Sequence, residues 1–525
     1  MDDPVDGVGV VESAASRRWA WAVGAVAALA LVARVLPTLR GGGLVSTGGY
    51  DDSVYYAAAT ALVHGRTPYD DFVLLHPPGL ILALTPFAAL ARVTSDTVGQ
   101  DVARVVFMLL GTLNTVLVMR VGRRFGRWAG VGAGLVYAVS FPALYAERTT
   151  TLETLGSTTV LVALTLLVRT SVGGRGAPPL GWTSRTRRTR RTISTARLVG
   201  AGLALGAGAG IKIWGVVPLA VIAGWVLLVA GRRAAAVVFA AAATAVAALC
   251  LPFFVGAPGQ MWRYVVSDQL GRPRGGVSTE QRLIDMAGLT FDFPDPTGVP
   301  AGVALGVVLA LVALAAVACL RTPGARIFVV LLVAEAILLL ASPSFFLHYS
   351  TLTAAPGALA LGVGAQRMRR WQRGRVPVGP ARLAAAATAA AVLAWGIPGI
   401  WHPIGRPFPS RLTSAAARTT GCITADDPTY LIEMNVLSRD LDAGCRVWVD
   451  VTGLTYDRAG GGAPGQPIQR ATDPTWQRKV MSYLLSGSAT VVARPETGLD
   501  PQSRHRLRGL PVLARDEGFA LRWVQ

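Results

Sequence analysis

Runs of about 17–25 apolar residues recur along most of the chain, separated by short connections rich in arginine. In hydrocarbon a backbone must satisfy its own N–H and C=O groups, so runs of this length read as transmembrane helices. Three of the connections, "RVGRRFGR" (120–127), "RTSVGGRGAPPLGWTSRTRRTRRTISTAR" (169–197) and "RMRRWQRGR" (367–375), contain no acid. Arginine gathered in short loops is the positive-inside pattern of cytoplasmic connections. It accounts for the formal charge of +20, which taken alone would point to a nucleic-acid partner. With 52% apolar and 15% charged residues, the basicity is a topology signal and no nucleic-acid partner is expected.

The expectation is an all-α polytopic membrane protein of about eleven spans. A cytoplasmic tail (1–18) precedes a membrane domain (19–400), and a small extracytoplasmic α/β domain (401–525) follows. Arg17 and Arg18 precede the first run and hold the N-terminus inside; no small-residue cleavage site follows, so the run reads as an anchor. The spans fall near 19–36, 101–119, 128–146, 153–169, two within 198–233 broken near Lys212 and Pro218, 234–255, 300–320, 327–343, 351–366 and 383–400. The outer segment 37–100 includes "GLILALTPFAALARV", which is short, interrupted by proline, and expected to lie at the interface.

Past residue 400 the pattern changes. "CRVWVDVTGLTYD" and "ATVVARP" read as strands, "TYLIEMNVLSRDL" and "QRKVMSYLLSG" as helices. Cys250 and Cys319 sit inside apolar runs and read as packing residues. Cys422 and Cys445 lie in this polar part and are expected to form a disulfide, which agrees with an outer location and would stabilise the module by about 3 kcal/mol.

Polar chemistry concentrates in the connections expected outside, above all in "GGYDDSVYYAAATALVHGRTPYDDFVLLHPPG" (48–79). Ionisable groups at a membrane boundary are costly unless they serve a site. Asp51 and Asp52 open an expected helix; either could cap it or take a proton from an attacking hydroxyl. Lys212, Arg148, Arg272, Arg274 and His348 could receive a phosphate. Arg272 and Arg274 could equally meet lipid headgroups. His76 and His348 could simply bond helix-end backbone, and the tyrosines, among them Tyr55 and Tyr69, could form an interfacial belt or stack on a sugar. No cofactor is required by these residues, although Asp70 and Asp71 could share a divalent cation with Asp51 or Asp52.

Asp51-Asp52, Tyr55, Gly65, Pro68, Tyr69, Asp71, Phe72 and His76-Pro77-Pro78 together resemble the first outer loop of the GT-C membrane glycosyltransferases, in the protein O-mannosyltransferase and lipid A aminoarabinose transferase group. "RTTTLETLG" is similar to that family's second outer turn, with Glu153 as its acid and Glu147 as the alternative. "GLALGAGAGIK" resembles its glycine-rich helix ending in lysine, here Lys212, and "FFLHYSTLTAAPGALAL" its late segment, with His348, Tyr349 and Pro356. The likeness spans roughly 19–365.

The resemblance implies an inverting transferase that moves a sugar from a polyprenyl-phosphate donor to a hydroxyl of a glycan, lipid or protein at the outer face of the cell membrane. Asp51 or Asp52 would be the general base, with Glu153 positioning the acceptor. Tyr55, Tyr69, His76 and Tyr349 would line the substrate site. The alternative is a secondary transporter or lipid flippase, which predicts inverted repeats and ionisable groups at the bilayer midplane.

Overall fold

The computed structural model describes residues 6–47, 49–168, 193–272, 276–290, 300–453 and 470–524. The larger part of the basic loop 169–197, and Arg274, lie outside the described residues. Ten helices carry the first half of the chain: α1 (Asp6–Arg40), α2 (Tyr50–Val63), α3 (Gly79–Ala91), α4 (Asp96–Arg123), α5 (Arg127–Val139), α6 (Phe141–Glu147), α7 (Leu152–Leu167), α8 (Thr195–Ile211), α9 (Val216–Ala230) and α10 (Arg232–Gly256). Four longer helices follow, Ala301–Leu320, Arg326–Ala341, Thr351–Gln372 and Val378–Trp401.

Every run expected to span is helical. Among the described residues six helices are long and apolar enough to cross a membrane, or seven if α5 and α6 are taken as one bent span. The single span expected over 128–146 is in fact this pair, bent by 61° at Ser140, whose extended backbone ends α5. Pro142 follows at the start of α6, where its missing N–H costs nothing. α6 then leads into the turn at 148–151. Large apolar side chains left exposed, such as Leu228, Phe239, Val303, Leu314 and Ile397, lie on the spanning helices and meet lipid rather than protein.

The two ends of the helical bundle differ in chemistry. At one end the Arg123 guanidinium lies over the Trp19 ring, Arg369 over Trp128, and Arg370 donates to the Phe125 carbonyl. At the other, Arg34 in α1 and Asn114 in α4 converge on Glu147, and the acid-bearing loop begins.

The chain after Trp401 folds back over this second end. Strand β1 (Ser46–Thr47) pairs antiparallel with β2 (Arg406–Pro407), which stitches the first outer loop to the C-terminal module. The module is a four-stranded sheet of β3 (Ile423–Ala425), β4 (Ala489–Val491), β5 (Val512–Asp516) and β6 (Phe519–Trp523) in the order β3-β4-β6-β5, with only β3 and β4 parallel. Helices Pro428–Glu433, Leu437–Asp442 and Pro474–Leu484 pack beside it. Cys422 and Cys445 are disulfide-bonded with an S–S distance of 2.01 Å.

The strand expected over 445–457 is not found in its described part: residues 445–450 carry no regular structure. Their alternating apolar residues are anchored by packing instead, with Trp448 stacked on Tyr483 at 4.5 Å and Val449 and Val451 buried.

Candidate active site

The two adjacent carboxylates of α2 have different surroundings. Asp52 is buried and saturated: Arg104 Nε and Nη2 donate to its Oδ2 at 2.8 and 2.7 Å, and the Thr150 backbone N–H donates to Oδ1 at 2.7 Å. Arg104 in turn donates to the carbonyls of Leu44 and Ser46. Asp52 therefore ties α2, α4, the start of the outer loop and the turn at 148–151 together. The Thr150 hydroxyl also donates to Oδ1, so each carboxylate oxygen accepts two hydrogen bonds within the protein, the geometry of a structural anchor. Asp51, one residue earlier and about 100° around the helix, keeps a side chain 39% exposed, with Oδ2 3.6 Å from His348 Nε2.

A similar division separates the two glutamates at the second outer turn. Glu147 is consumed by Arg34 Nε (3.0 Å), Asn114 Nδ2 (2.7 Å) and the Tyr137 hydroxyl (2.7 Å). Glu153, at the first turn of α7, accepts from Lys212 Nζ through Oε1 at 2.5 Å, and its buried Oε2 has no partner among the described residues. The glycine-rich α8 delivers Lys212: Gly202 and Gly206 let it lie against the backbone of α10, and the helix ends at Ile211, where the chain turns extended. The Lys212 ammonium sits 3.5 Å from the centre of the Tyr349 ring and 4.1 Å from that of Trp214. Aromatic faces of this kind hold a cation without neutralising it.

His348 and Tyr349 come from the short turn before the helix Thr351–Gln372, their rings edge to face at 4.6 Å. Burial, with Lys212, Arg272 and His348 nearby, holds the His76 imidazole well below its ordinary pKa, so that it is neutral and can donate or accept one hydrogen bond. Its Nδ1 has no partner among the described residues, and its ring meets that of Tyr55 edge-on at 5.8 Å. Burial and the neighbouring charges of Asp51 and Glu153 keep the Tyr55 phenol protonated. Arg272 donates to Ser344 Oγ at 3.3 Å. The fold thus gathers Asp51, Tyr55, His76, Glu153, Lys212, Arg272, His348 and Tyr349 around one region.

Two expected members stand apart. Tyr69 has left-handed backbone (φ 73°) and its hydroxyl donates to the His76 carbonyl at 2.8 Å, so it shapes the loop behind the site instead of facing a substrate. Arg148 lies beside Asp52 and Arg104, its guanidinium over the Tyr145 ring; burial holds its pKa down to about 10. Arg274 lies outside the described residues.

Asp52 is committed to Arg104, Asp71 Oδ2 accepts from the Thr67 N–H at 2.6 Å, and Asp70 is exposed. No group of three or more His, Cys, Asp or Glu side chains that could hold a metal occurs among the described residues.

Several participants escaped the reading of the sequence. Arg104 carried a signal: a lone arginine within an apolar span marks a paired or functional group. Trp214 and Ser344 carried none. Glu335 is buried in the helix Arg326–Ala341 and lines a narrow cleft of about 30 Å³ together with Glu153, Lys212, Pro218 and Pro356. The C-terminal module adds Asp450, whose Oδ1 accepts from the Tyr50 hydroxyl at 2.7 Å, and Arg494, whose guanidinium lies 3.6 Å from the centre of the Tyr50 ring.

The same architecture recurs in solved structures of low sequence identity. ArnT from Cupriavidus metallidurans bound to undecaprenyl phosphate matches with a TM-score of 0.59 at 15% identity, over 95% of this chain and 97% of that one. The archaeal oligosaccharyltransferase AglB from Archaeoglobus fulgidus, in complex with an inhibitory peptide and a dolichol-phosphate, matches with a TM-score of 0.56 at 14% identity, over 90% of this chain and 69% of that one. The chain therefore has the GT-C membrane fold. No curated protein matches it significantly. The sequence model of glycosyltransferase family 87 matches residues 74–343, just over half of the chain, and the protein is a member of that family.

Proposed function

We propose that the protein transfers a sugar from a polyprenyl-phosphate donor to a hydroxyl acceptor, with Asp51 as general base and inversion at the anomeric carbon. The observation that carries this reading is the asymmetry of the aspartate pair: Asp52 is saturated while Asp51 stays open beside His348. In the step, the acceptor hydroxyl gives its proton to Asp51 and its oxygen bonds to the anomeric carbon from the face opposite the donor. The bond from that carbon to the phosphate oxygen breaks, and its electron pair leaves on the phosphate. Phosphate is a good leaving group and needs no acid, but charge accumulates on it, and preorganised cations stabilise that charge. Lys212 and Arg272 would supply that charge, and neutral His76 can donate to a phosphate oxygen. Glu153 balances Lys212 before the donor enters, and its second oxygen is available to orient the acceptor.

The undecaprenyl phosphate and dolichol-phosphate named with the two structural neighbours support a polyprenyl carrier. The acceptor would approach between α2 and the C-terminal module, where Tyr50, Asp450 and Arg494 offer hydrogen bonds suited to hydroxyls. The arginine-rich end of the bundle would face the cytoplasm and the site would open outside.

The test is sugar transfer by purified protein from a panel of synthetic polyprenyl-phosphate sugars. Asp51→Asn should lower turnover by roughly 10²–10⁴-fold, the range of a lost general base, with donor binding and thermal midpoint unchanged. Turnover indifferent to Asp51→Asn would remove the proposed base.

A further inference from the structure

The end of the bundle opposite the active site has a site of its own. An open cavity of about 310 Å³ lies among Phe125, Thr322, Val363, Arg367, Arg370 and Trp371, where the loop after α4, the turn after Ala301–Leu320 and the last turns of Thr351–Gln372 meet. Its walls divide by chemistry: Phe125, Val363 and the Trp371 ring are apolar, and two guanidiniums supply charge. Each arginine is aimed by one bond to a helix-end carbonyl. Arg367 Nη1 donates to the Arg321 carbonyl at 3.5 Å and Arg370 Nη2 to the Phe125 carbonyl at 3.2 Å. The remaining N–H groups of each fork are left for another acceptor.

The three segments around the cavity carry no acid of their own. Segments 120–127, 321–326 and 366–375 contain arginine at 120, 123, 124, 127, 321, 326, 367, 369, 370, 373 and 375, and neither aspartate nor glutamate. Trp371, which lines the cavity, is 56% exposed and gives its mouth an aromatic face of the kind that favours the membrane–water interface.

We propose that this cavity is the seat of one anionic phospholipid, its phosphate held by Arg367 and Arg370 and its glycerol and first acyl carbons against Phe125, Val363 and Trp371. A guanidinium pair matches phosphate oxygens in a bidentate way. The mixed lining favours a headgroup still attached to acyl chains over a soluble anion.

The experiment is native mass spectrometry of the full-length protein in detergent, titrated with equal amounts of a phosphatidylglycerol and a phosphatidylcholine of distinguishable mass. Wild type should retain one phosphatidylglycerol preferentially. Arg367→Gln/Arg370→Gln should lower that retention by about five-fold for each arginine removed. The control Arg373→Gln/Arg382→Gln removes the same charge from exposed positions outside the cavity and should retain the lipid. Absence of a preference in wild type, an equal loss in the control, or displacement of the lipid by millimolar inorganic phosphate would each overturn the proposal. If the double variant fails to fold, Arg367→Gln alone carries the same test at about five-fold.

Discussion

Asp51 and Asp52 share a side-chain type and a helix turn, yet their neighbours give them opposite work. Arg104 and Thr150 supply hydrogen bonds to both oxygens of Asp52, whereas Asp51 has the His348 ring nitrogen 3.6 Å from its Oδ2. The difference is testable on stability alone. Asp52→Ala leaves the buried Arg104 guanidinium without its partner, a change that costs about 3–5 kcal/mol in comparable ion pairs. It should lower the thermal midpoint of the purified protein by several degrees and reduce folded yield, while Asp51→Ala leaves both unchanged. Equal midpoints for the two variants would show that the Arg104 pair does not anchor the loop. The sequence told that one of two carboxylates mattered but could not rank them, because the ranking resides in Arg104 and Thr150, which are 52 and 98 residues away.

Helix α8 shows how a pattern of small residues sets the position of a charge. A Cβ at Gly206 would overlap the Ala242 carbonyl oxygen, and one at Gly202 the Val238 carbonyl, so the two glycines, four residues apart, let α8 and α10 pack backbone to backbone. Gly206→Val should push the helices apart at a cost of about 1–3 kcal/mol and shift Lys212 at the helix end, lowering turnover together with thermal midpoint. A variant with wild-type turnover and stability would show that the close approach is dispensable. The helices themselves were legible because apolar length and flanking arginines are local properties, and the glycine-rich character of α8 was visible for the same reason. The bend at Ser140 and the missing strand at 445–450 were not. Each depends on what the segment packs against: α6 crosses to bring Glu147 to Arg34, and Trp448 finds the Tyr483 ring in place of a strand partner. A second consequence concerns pH. Burial raises Asp426 to about 7 and Glu433 to about 8, the latter despite Arg104 nearby. Both exceed their unfolded values, so the native module binds more protons than the unfolded chain between about pH 4 and 8, and its stability falls as pH rises through that window. Hydrogen exchange in β3 and β4 should be slower at pH 5.5 than at 8.5 after correction for intrinsic rates, and Glu433→Gln should weaken the dependence. A module equally protected at both values would contradict the buried, protonated state of these acids.

Across the molecule the charges form an axis. Arginines paired with Trp19, Trp128 and Phe125 mark one end of the bundle; the acid-bearing loops, the Lys212–Glu153 pair and the disulfide-bonded module occupy the other. The module is bound to that end by more than its linker. Asp96 at the start of α4 accepts from the Ser438 N–H at 3.0 Å, its own N–H donates to Asn435 Oδ1 at 2.7 Å, and β1 pairs with β2. Active site and module therefore share one side of the membrane whichever way the chain is inserted, and the orientation of either decides that of both. The arginine-rich end resists translocation, and a disulfide persists in an oxidising compartment; on these two grounds we propose that the module lies outside. In a Cys250→Ser background, with Cys319 buried, Ala443→Cys in the module should react with a membrane-impermeant maleimide on intact cells. Gly374→Cys at the basic end should react only after the membrane is opened. The reverse pattern would place the site in the cytoplasm, where soluble nucleotide sugars are available and a lipid-borne donor loses its rationale. Labelling at both positions in intact cells would show that the reagent had crossed, and the comparison would then rest on quenching from outside before lysis.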